Sequence, residues 1–147
     1  MELNKYIDHT LLKAAATEDD IIKLCSEAKE HSFYSVCVNS CYVALCTKEL
    51  AGSSVKIACV AGFPLGAMDS ASKAFEAESA ARMGADEIDM VINIGMMKAG
   101  NTEYVYNDIK SVVDAAKKHG ASVKVIIECC ELTDAEKIEA CRISERA

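Results

Sequence analysis

The stretch GADEIDMVINIG, residues 84–95, begins with a glycine of the kind that often ends a helix. An apolar run follows, and the carboxylate of Asp89 interrupts it. The run Glu87–Asn93 is short and largely apolar on both faces, which is typical of a strand buried in a parallel sheet. An Ala-rich helical pattern precedes this run at Asp69–Met83, and a second helical pattern follows it at Asn101–His119. The stretch is therefore predicted to be one strand of a repeating strand–helix unit.

Four further β-rich runs alternate with amphipathic helical segments along the chain. Helices are expected to begin at Thr17, at Ser40 and at the capping box formed by Thr133 and Glu136. This alternation predicts right-handed strand–helix–strand crossovers and a parallel sheet in an α/β fold. The four runs are Lys5–Leu12, Ser35–Asn39, Val55–Ala61 and Val123–Glu128.

Two architectures fit five parallel strands, and the periodicity alone does not separate them. One is a complete flavodoxin-like open sheet, and the other is an incomplete (β/α)₈ TIM barrel. A whole barrel needs about 200–250 residues. The 147 residues of this chain are therefore predicted to be unable to close a barrel alone.

The charge balance of the chain excludes several classes of partner. It has 16 Lys and Arg against 23 Asp and Glu, a formal net charge of −7, and an acidic chain binds nucleic acid and anionic membranes poorly. The sequence contains no run of about 18 apolar residues, the length expected of a membrane-spanning helix, and the segment Met1–Lys5 does not resemble a secretory signal. We expect one domain over residues 1–147, a cytoplasmic location, and neither nucleic acid nor membrane as a partner.

The eight cysteines are expected to be reduced thiols, most of them buried, because no C-x-x-C pair and no secretory signal is present. The segment Gly62–Gly66 is expected to be a tight turn, since it matches neither a dinucleotide fingerprint nor a phosphate-binding loop. Metal-ligand spacings are also absent from the sequence. No metal and no cofactor is therefore predicted.

Asp89 is the sharpest candidate for chemistry, because it is a carboxylate within an apolar strand. Burying it costs several kcal/mol unless it is paired or hydrogen-bonded. One interpretation is an acid–base group that lines the interior of a barrel. The other is a structural carboxylate that pairs with a lysine of a neighbouring strand. Both interpretations remain open from the sequence.

Other polar residues interrupt the strands as well. Asp8 and Thr10 share one face of the first strand, and His9 points the other way, where we expect it to be hydrogen-bonded beneath a helix. Cys37, late in the second strand, is predicted either to line a pocket or to pack as a small core residue. Lys124 enters the fifth strand at the end opposite the expected site and is predicted to neutralise carboxylates.

Five segments together resemble the deoxyribose-phosphate aldolase family, and their order and spacing match from end to end of the chain. Each segment is weak evidence alone, whereas the ordered set is specific. The segments are Ile7–Leu11, Val36–Asn39, Gly62–Gly66, Gly84–Gly95 and Lys124–Glu128.

The resemblance implies a (β/α)₈ barrel, of which this chain would form five parallel strands. It implies reversible cleavage of 2-deoxy-D-ribose 5-phosphate to D-glyceraldehyde 3-phosphate and acetaldehyde, through a Schiff base and without a metal. The expected partners are then a sugar phosphate and aldehydes. By this resemblance Asp89 matches the proton-relay aspartate of the family, and Asp8, Thr10 and Cys37 match positions near the substrate.

The resemblance also places three parts of the family's site beyond the fifth strand. These are the Schiff-base lysine on strand six, a second lysine on strand seven, and the phosphate-binding backbone around strands seven and eight. A truncated barrel of 147 residues is therefore expected to be inactive alone. Lys13 and Lys98 lie in predicted loops on the active face, where exposed and protonated amines are poor nucleophiles. Cys129 also departs from the family, which usually has threonine there.

Two non-catalytic alternatives remain beside the aldolase. An incomplete barrel leaves strands one and five as unpaired edges, which favour association. The chain could therefore form a homo-oligomer through these edges or need a complementary C-terminal piece. A five-stranded signalling receiver domain fits poorly, because no Asp closes the third strand.

Overall fold

The structure, a computed structural model, describes residues 2–147 and has strands and α-helices alternating along the chain. Short 3₁₀ helices lie at Leu3–Tyr6 and Ser40–Tyr42. The strands are β1 (Asp8–Leu11), β2 (Ser35–Val38), β3 (Lys56–Ala61), β4 (Glu87–Val91) and β5 (Ser122–Ile126). The helices are α1 (Glu18–Glu30), α2 (Val43–Glu49), α3 (Ser70–Arg82), α4 (Ile94–Lys98), α5 (Thr102–Lys117) and α6 (Asp134–Arg146).

Side-chain caps define where several of the predicted helices begin, whereas α2, predicted to begin at Ser40, begins at Val43 without such a cap. Thr17 forms a capping box with Asp20 at α1, and Thr133 forms one with Glu136 at α6. The Asp69 carboxylate accepts the backbone N–H of Ser72 at α3. Each cap satisfies backbone donors that a helix otherwise leaves without a partner. The predicted helix starts at Thr17 and Thr133 are confirmed.

The five strands are all parallel and lie in the order β1-β2-β3-β4-β5. A flavodoxin-like sheet has the order 2-1-3-4-5, so this alternative is excluded. Sequential order is the order of a (β/α)₈ barrel. The prediction of an α/β fold with five parallel barrel-type strands is confirmed.

The sheet is strongly curled, as an ion pair between its two edge strands shows. In a flat sheet, four strand spacings would separate β1 from β5 by roughly 19 Å. Yet Lys124 Nζ on β5 lies 2.8 Å from Asp8 Oδ2 on β1. The sheet therefore forms an arc whose concave face brings these side chains together.

The two faces of the sheet bury different clusters. Val36 and Val38 belong to the main core between the convex face and the helices. Cys37, which alternates with them, belongs to a small second cluster with Ala58 and Val60. The concave face therefore has a small apolar patch beside its polar residues, as expected for the inside of a barrel.

Several local expectations were wrong. Lys5 and Tyr6, predicted as strand, lie in a 3₁₀ helix, and Asn93 caps the short α4, which periodicity did not indicate. All eight cysteines are free thiols, but only Cys25, Cys37, Cys46 and Cys59 are buried.

Within residues 2–147, no helix combines the length and the apolar character needed to cross a membrane.

Candidate active site

The concave face carries a cluster of charged residues centred on Lys124. Its Nζ atom donates to Asp8 Oδ2 at 2.8 Å, to Glu87 Oε1 at 2.5 Å and to Asp89 Oδ1 at 3.2 Å. Strand parity places Glu87 and Asp89 on the same face of β4, and the register of β4 with β5 sets Asp89 opposite Lys124. Parallel pairing and curvature together therefore assemble this cluster from β1, β4 and β5.

Asp89 is the buried member of the cluster, with 6% of its surface exposed. Burial raises the pKa of its carboxyl group above 3.8, and the charge and hydrogen bond of Lys124 offset only part of this rise. Burial destabilises the charged form of a carboxylate, whereas a neighbouring cation stabilises it. Asp89 therefore has an increased affinity for a proton while it still contacts a fixed positive charge.

Asp8 has the opposite balance. Burial raises the pKa of its carboxyl group, but hydrogen bonds from Lys124 and Ser35 outweigh this effect and leave the pKa below 3.8. The Ser35 hydroxyl donates to Asp8 Oδ1 at 2.6 Å. The pKa of Asp8 is thus lowered and that of Asp89 is raised, which separates the proton affinities of two acids that share one lysine.

Lys124 is held as an ammonium ion. Burial lowers the pKa of its amine, but the hydrogen bonds that it donates to its carboxylate partners, together with their negative charge, outweigh burial and raise that pKa well above 10.5. The oxygen atoms of Asp8, Glu87 and Asp89 lie within 4.8 Å of one another, a grouping that could hold a cation. Because the Lys124 ammonium bonds to all three, it supplies that cation itself.

Cys37 contributes a thiol beside Asp89. Its Sγ atom lies 3.7 Å from Asp89 Oδ2 as a hydrogen-bond donor. Burial, followed by the neighbouring Asp89 charge, raises the pKa of the thiol to about 12. Cys37 therefore stays protonated at neutral pH and orients Asp89, since nucleophilic attack by cysteine requires the thiolate.

Thr10 lies on the exposed part of β1, two residues nearer the carboxyl end than Asp8. Its hydroxyl donates to the backbone oxygen of Asp8 at 2.8 Å. The structure therefore joins Asp8, Cys37 and Asp89 through one network, while Thr10 is tied to that network only through the backbone of β1.

His9 lies outside the cluster, as predicted. Its Nε2 atom is 2.8 Å from Glu27 Oε2 of α1, and its ring packs 5.2 Å from that of Phe33. A histidine bonded beneath a helix explains this residue without a catalytic role.

Three members of the site were not singled out from the sequence. Glu87 shares the face of Asp89 at a spacing of two, a signal that strand parity contains. Ser35 gives no such signal, because its role depends on the register between β1 and β2. Lys73 of α3 is completely buried and bonds to the end of β4, although the Ala-rich pattern of its helix did not mark it.

Replacing Lys124 by methionine is expected to raise the pKa of both Asp8 and Asp89, because each loses a hydrogen bond and a nearby positive charge. Since the pKa of Asp8 in the folded protein is now below its ordinary 3.8, Asp8 stabilises the fold above pH 3.8. This stabilisation disappears as the pH falls through the pKa of Asp8 in the folded protein. Because that pKa is closer to 3.8 in the variant, the variant should lose less stability on acidification.

Carboxyl ¹³C NMR titrations of the two aspartates test this expectation. Lys110→Met is the matched control, because Lys110 pairs with Asp114 on α5 and should leave both titrations unchanged. Unaltered Asp8 and Asp89 titrations in the Lys124 variant would show that the ion-pair cluster does not form.

Comparison with known proteins identifies relatives along the whole chain. A family model described as "DeoC/LacD family aldolase" matches residues 3–143. The deoxyribose-phosphate aldolase of Finegoldia magna is 61% identical over 144 residues, which are 98% of this chain and 67% of that relative. The deoxyribose-phosphate aldolase of Thermotoga petrophila is 58% identical over 146 residues, 99% of this chain and 58% of that relative.

A solved structure agrees with these relatives. The tetrameric deoxyribose phosphate aldolase from Aeropyrum pernix superposes with a TM-score of 0.90 at 33% identity, covering 98% of this chain and 60% of that one. The chain thus spans about three fifths to two thirds of the length of these proteins. It belongs to the DeoC/LacD family of aldolases.

Proposed function

We propose that this chain supplies the five-strand part of an aldolase that reversibly cleaves 2-deoxy-D-ribose 5-phosphate to D-glyceraldehyde 3-phosphate and acetaldehyde through a Schiff base. The family match and the names of the relatives support the reaction class. The observation that carries the proposal is Asp89, a buried carboxyl group on the concave face with a raised pKa and a lysine ammonium at 3.2 Å.

Asp89 has the properties that a Schiff-base reaction asks of a proton carrier. Addition of an amine to a carbonyl gives a carbinolamine, and both its formation and its dehydration need a proton to be moved. A general acid–base works best when its pKa approaches the working pH, and burial moves the pKa of Asp89 in that direction. The thiol of Cys37 and the ammonium of Lys124 fix the direction in which its oxygens point.

We assign Asp8, Thr10 and Cys37 to the surroundings of the substrate, as the resemblance implies. Thr10 offers an exposed hydroxyl oxygen at the carboxyl half of β1, the end at which barrel enzymes bind substrates. Asp8 lies deeper, and its carboxylate balances the Lys124 charge. Of the three, Thr10 is therefore the candidate for direct substrate contact, and Asp8 and Cys37 set the charge and orientation of the network.

The amine of the proposed reaction comes from outside this cluster. Lys124 contacts the site but is held as an ammonium by three carboxylates, and a protonated amine does not attack a carbonyl. Lys98 is bonded to Glu136 at 2.8 Å. We therefore infer that a polypeptide of residues 1–147 alone does not turn over the sugar phosphate and that a sixth strand, as the family resemblance implies, supplies the nucleophile.

Reassembly of the barrel tests this proposal. Residues 1–147 are coexpressed with the part of the Finegoldia magna relative that lies beyond the matched region, and the purified pair is assayed for acetaldehyde release from the sugar phosphate. We expect no release from the 147-residue polypeptide and measurable release from the pair. Turnover by the polypeptide alone would contradict the assignment of the amine, and a folded, stable pair without turnover would contradict the proposed activity.

The edges of the sheet support a second, non-catalytic expectation. Within residues 2–147, β1 and β5 each pair with a neighbour on one side only, and β5 residues are partly exposed. Because open parallel edges favour pairing with another chain, the 147-residue polypeptide is expected to self-associate. Sedimentation equilibrium over a range of concentrations checks this, and a monomer at every concentration would count against it.

A further inference from the structure

A completely buried ion pair joins α3 to α5 next to the carboxyl end of the sheet. The side chains of Lys73 and Asp108 both have no exposed surface. Lys73 Nζ donates to Asp108 Oδ2 at 2.5 Å, to the backbone oxygen of Gly66 at 3.0 Å and to that of Val91 at 2.9 Å. All three of its ammonium protons therefore have partners, and two of those partners belong to the backbone outside its own helix.

The two backbone partners lie on separate elements. Gly66 ends the loop Gly62–Gly66, which leaves β3, and Val91 ends β4. At the start of the loop, the Gly62 N–H donates to Glu76 Oε2 at 2.8 Å, and a side chain on Gly62 would meet Lys73 Cε at 2.9 Å. Two residues of α3, Lys73 and Glu76, thus hold the two ends of one loop.

The loop occupies the rim above Asp89. Val60, two residues before the loop, is the register partner of Asp89, and Lys73 binds the β4 backbone two residues beyond Asp89. Gly66 packs directly on the end of β4, since a Cβ atom there would lie 1.8 Å from the Ile92 oxygen. The loop therefore lies at the carboxyl end of the strand that carries Asp89, where it would serve as a wall of the proposed site.

We propose that Lys73 is a positioning residue, which ties the Gly62–Gly66 loop to the end of β4 and so fixes the wall of the site above Asp89. A buried pair alone gives little net stability, because desolvation of both charges offsets their attraction. Lys73 also donates hydrogen bonds to the carbonyls of Gly66 and Val91. An apolar contact between α3 and α5 could not supply these two bonds. The inference rests on the proposed function only in treating this wall as part of a substrate site.

The test separates loop positioning from general stability. Lys73→Met alone leaves the Asp108 charge buried, so the variant used is the double substitution K73M/D108L, which removes both charges at similar volume. Amide hydrogen exchange is followed by NMR in the loop and in α3 and α5. We expect exchange in residues 62–66 to become about tenfold faster or more, since hydrogen bonds from charged donors are lost there, while the two helices keep their wild-type exchange.

The matched control is K110M/D114L, because Lys110 and Asp114 form an exposed ion pair on α5. Loop exchange should stay at the wild-type rate in this control. A K73M/D108L protein with wild-type exchange in the loop would overturn the proposal. The wild-type chain provides a second test that needs no variant: the Lys73 ammonium protons should exchange slowly and show contacts to the protons of Gly66, and rapid exchange like that of surface lysines would also overturn it.

Steady-state kinetics of the reassembled enzyme provide a separate test of the K73M/D108L variant. We expect K73M/D108L to raise KM by a larger factor than it lowers kcat, because a loosened wall weakens binding more than proton transfer. An effect on kcat alone would contradict the positioning role. Because the exchange measurements need no turnover, they decide on Lys73 even if the proposed aldolase activity fails.

Discussion

Replacing Gly66 by alanine is expected to lower the free energy of unfolding by roughly 3–5 kcal/mol, from left-handed backbone strain and from overpacking. Gly66 has a φ of +64°, a conformation that residues with a Cβ rarely adopt. The added Cβ would also lie 1.8 Å from the Ile92 oxygen and 2.8 Å from the Ile92 carbonyl carbon. Neither backbone atom can move without displacing the end of β4.

Urea unfolding followed by circular dichroism measures this effect, with Gly100→Ala as the matched control. Gly100 has a similar φ of +72°, but no atom lies within 4 Å of the position its Cβ would occupy. The free energy of unfolding of the control should therefore fall only by the cost of the left-handed backbone conformation, about 1–2 kcal/mol. Equal losses in the two variants would show that the loop does not pack on β4 as described.

Asp89→Asn is expected to reduce kcat of the reassembled enzyme by about 100- to 10,000-fold, the range that positioned acid–base groups contribute. Asparagine keeps the size of the side chain and can still contact Lys124, but it cannot accept and return a proton. Because substrate contacts change little, KM should change far less than kcat. Steady-state assay of acetaldehyde release measures both constants.

Asp86→Asn is the control for this variant. Asp86 lies three residues earlier and also pairs with a lysine, Lys56, at 2.9 Å, but this pair lies at the amino end of β3 and β4. The control should retain most of the activity. If Asp89→Asn were as active as Asp86→Asn, the structural interpretation of Asp89 as a partner of Lys124 would replace the catalytic one.

The fold was predictable from sequence in those parts where local chemistry decides the structure. The strand that begins at Glu87 and the caps at Thr17 and Thr133 depend on residues close in the chain, and the structure confirms them, although the strand ends at Val91 rather than Asn93. The choice between an open doubly wound sheet and a barrel was not accessible to periodicity, because both need the same local pattern. The order of the strands in space decided it.

The candidate site was predictable only in part, because its electrostatics arise from contacts across the sheet. Parity placed Asp8 and Asp89 on their faces, but the shared contact with Lys124 joins residues 116 positions apart. The ion pair between Lys73 and Asp108 was not predictable for the same reason, because it joins two different helices. Asp108 does fall on the apolar stripe of α5, between Val105 and Val112, and a carboxylate in that position is the one local signal of a buried partner.

The exposed cysteines show another limit of composition. Free cysteine is usually buried, yet Cys129 and Cys130 lie exposed in the turn that follows β5. Burial of a single residue depends on which elements pack over it. No local sequence pattern reveals which elements those are.

We propose that Lys124 is the fixed cation of the site and that the reacting amine comes from elsewhere. Incubation with acetaldehyde, reduction with borohydride and peptide mapping by mass spectrometry test it directly, because reduction converts a Schiff base into a stable N-ethyl lysine. We predict no specific label on the 147-residue polypeptide and a single labelled lysine in the added segment of the reassembled enzyme. Stoichiometric labelling of Lys124 would contradict the account.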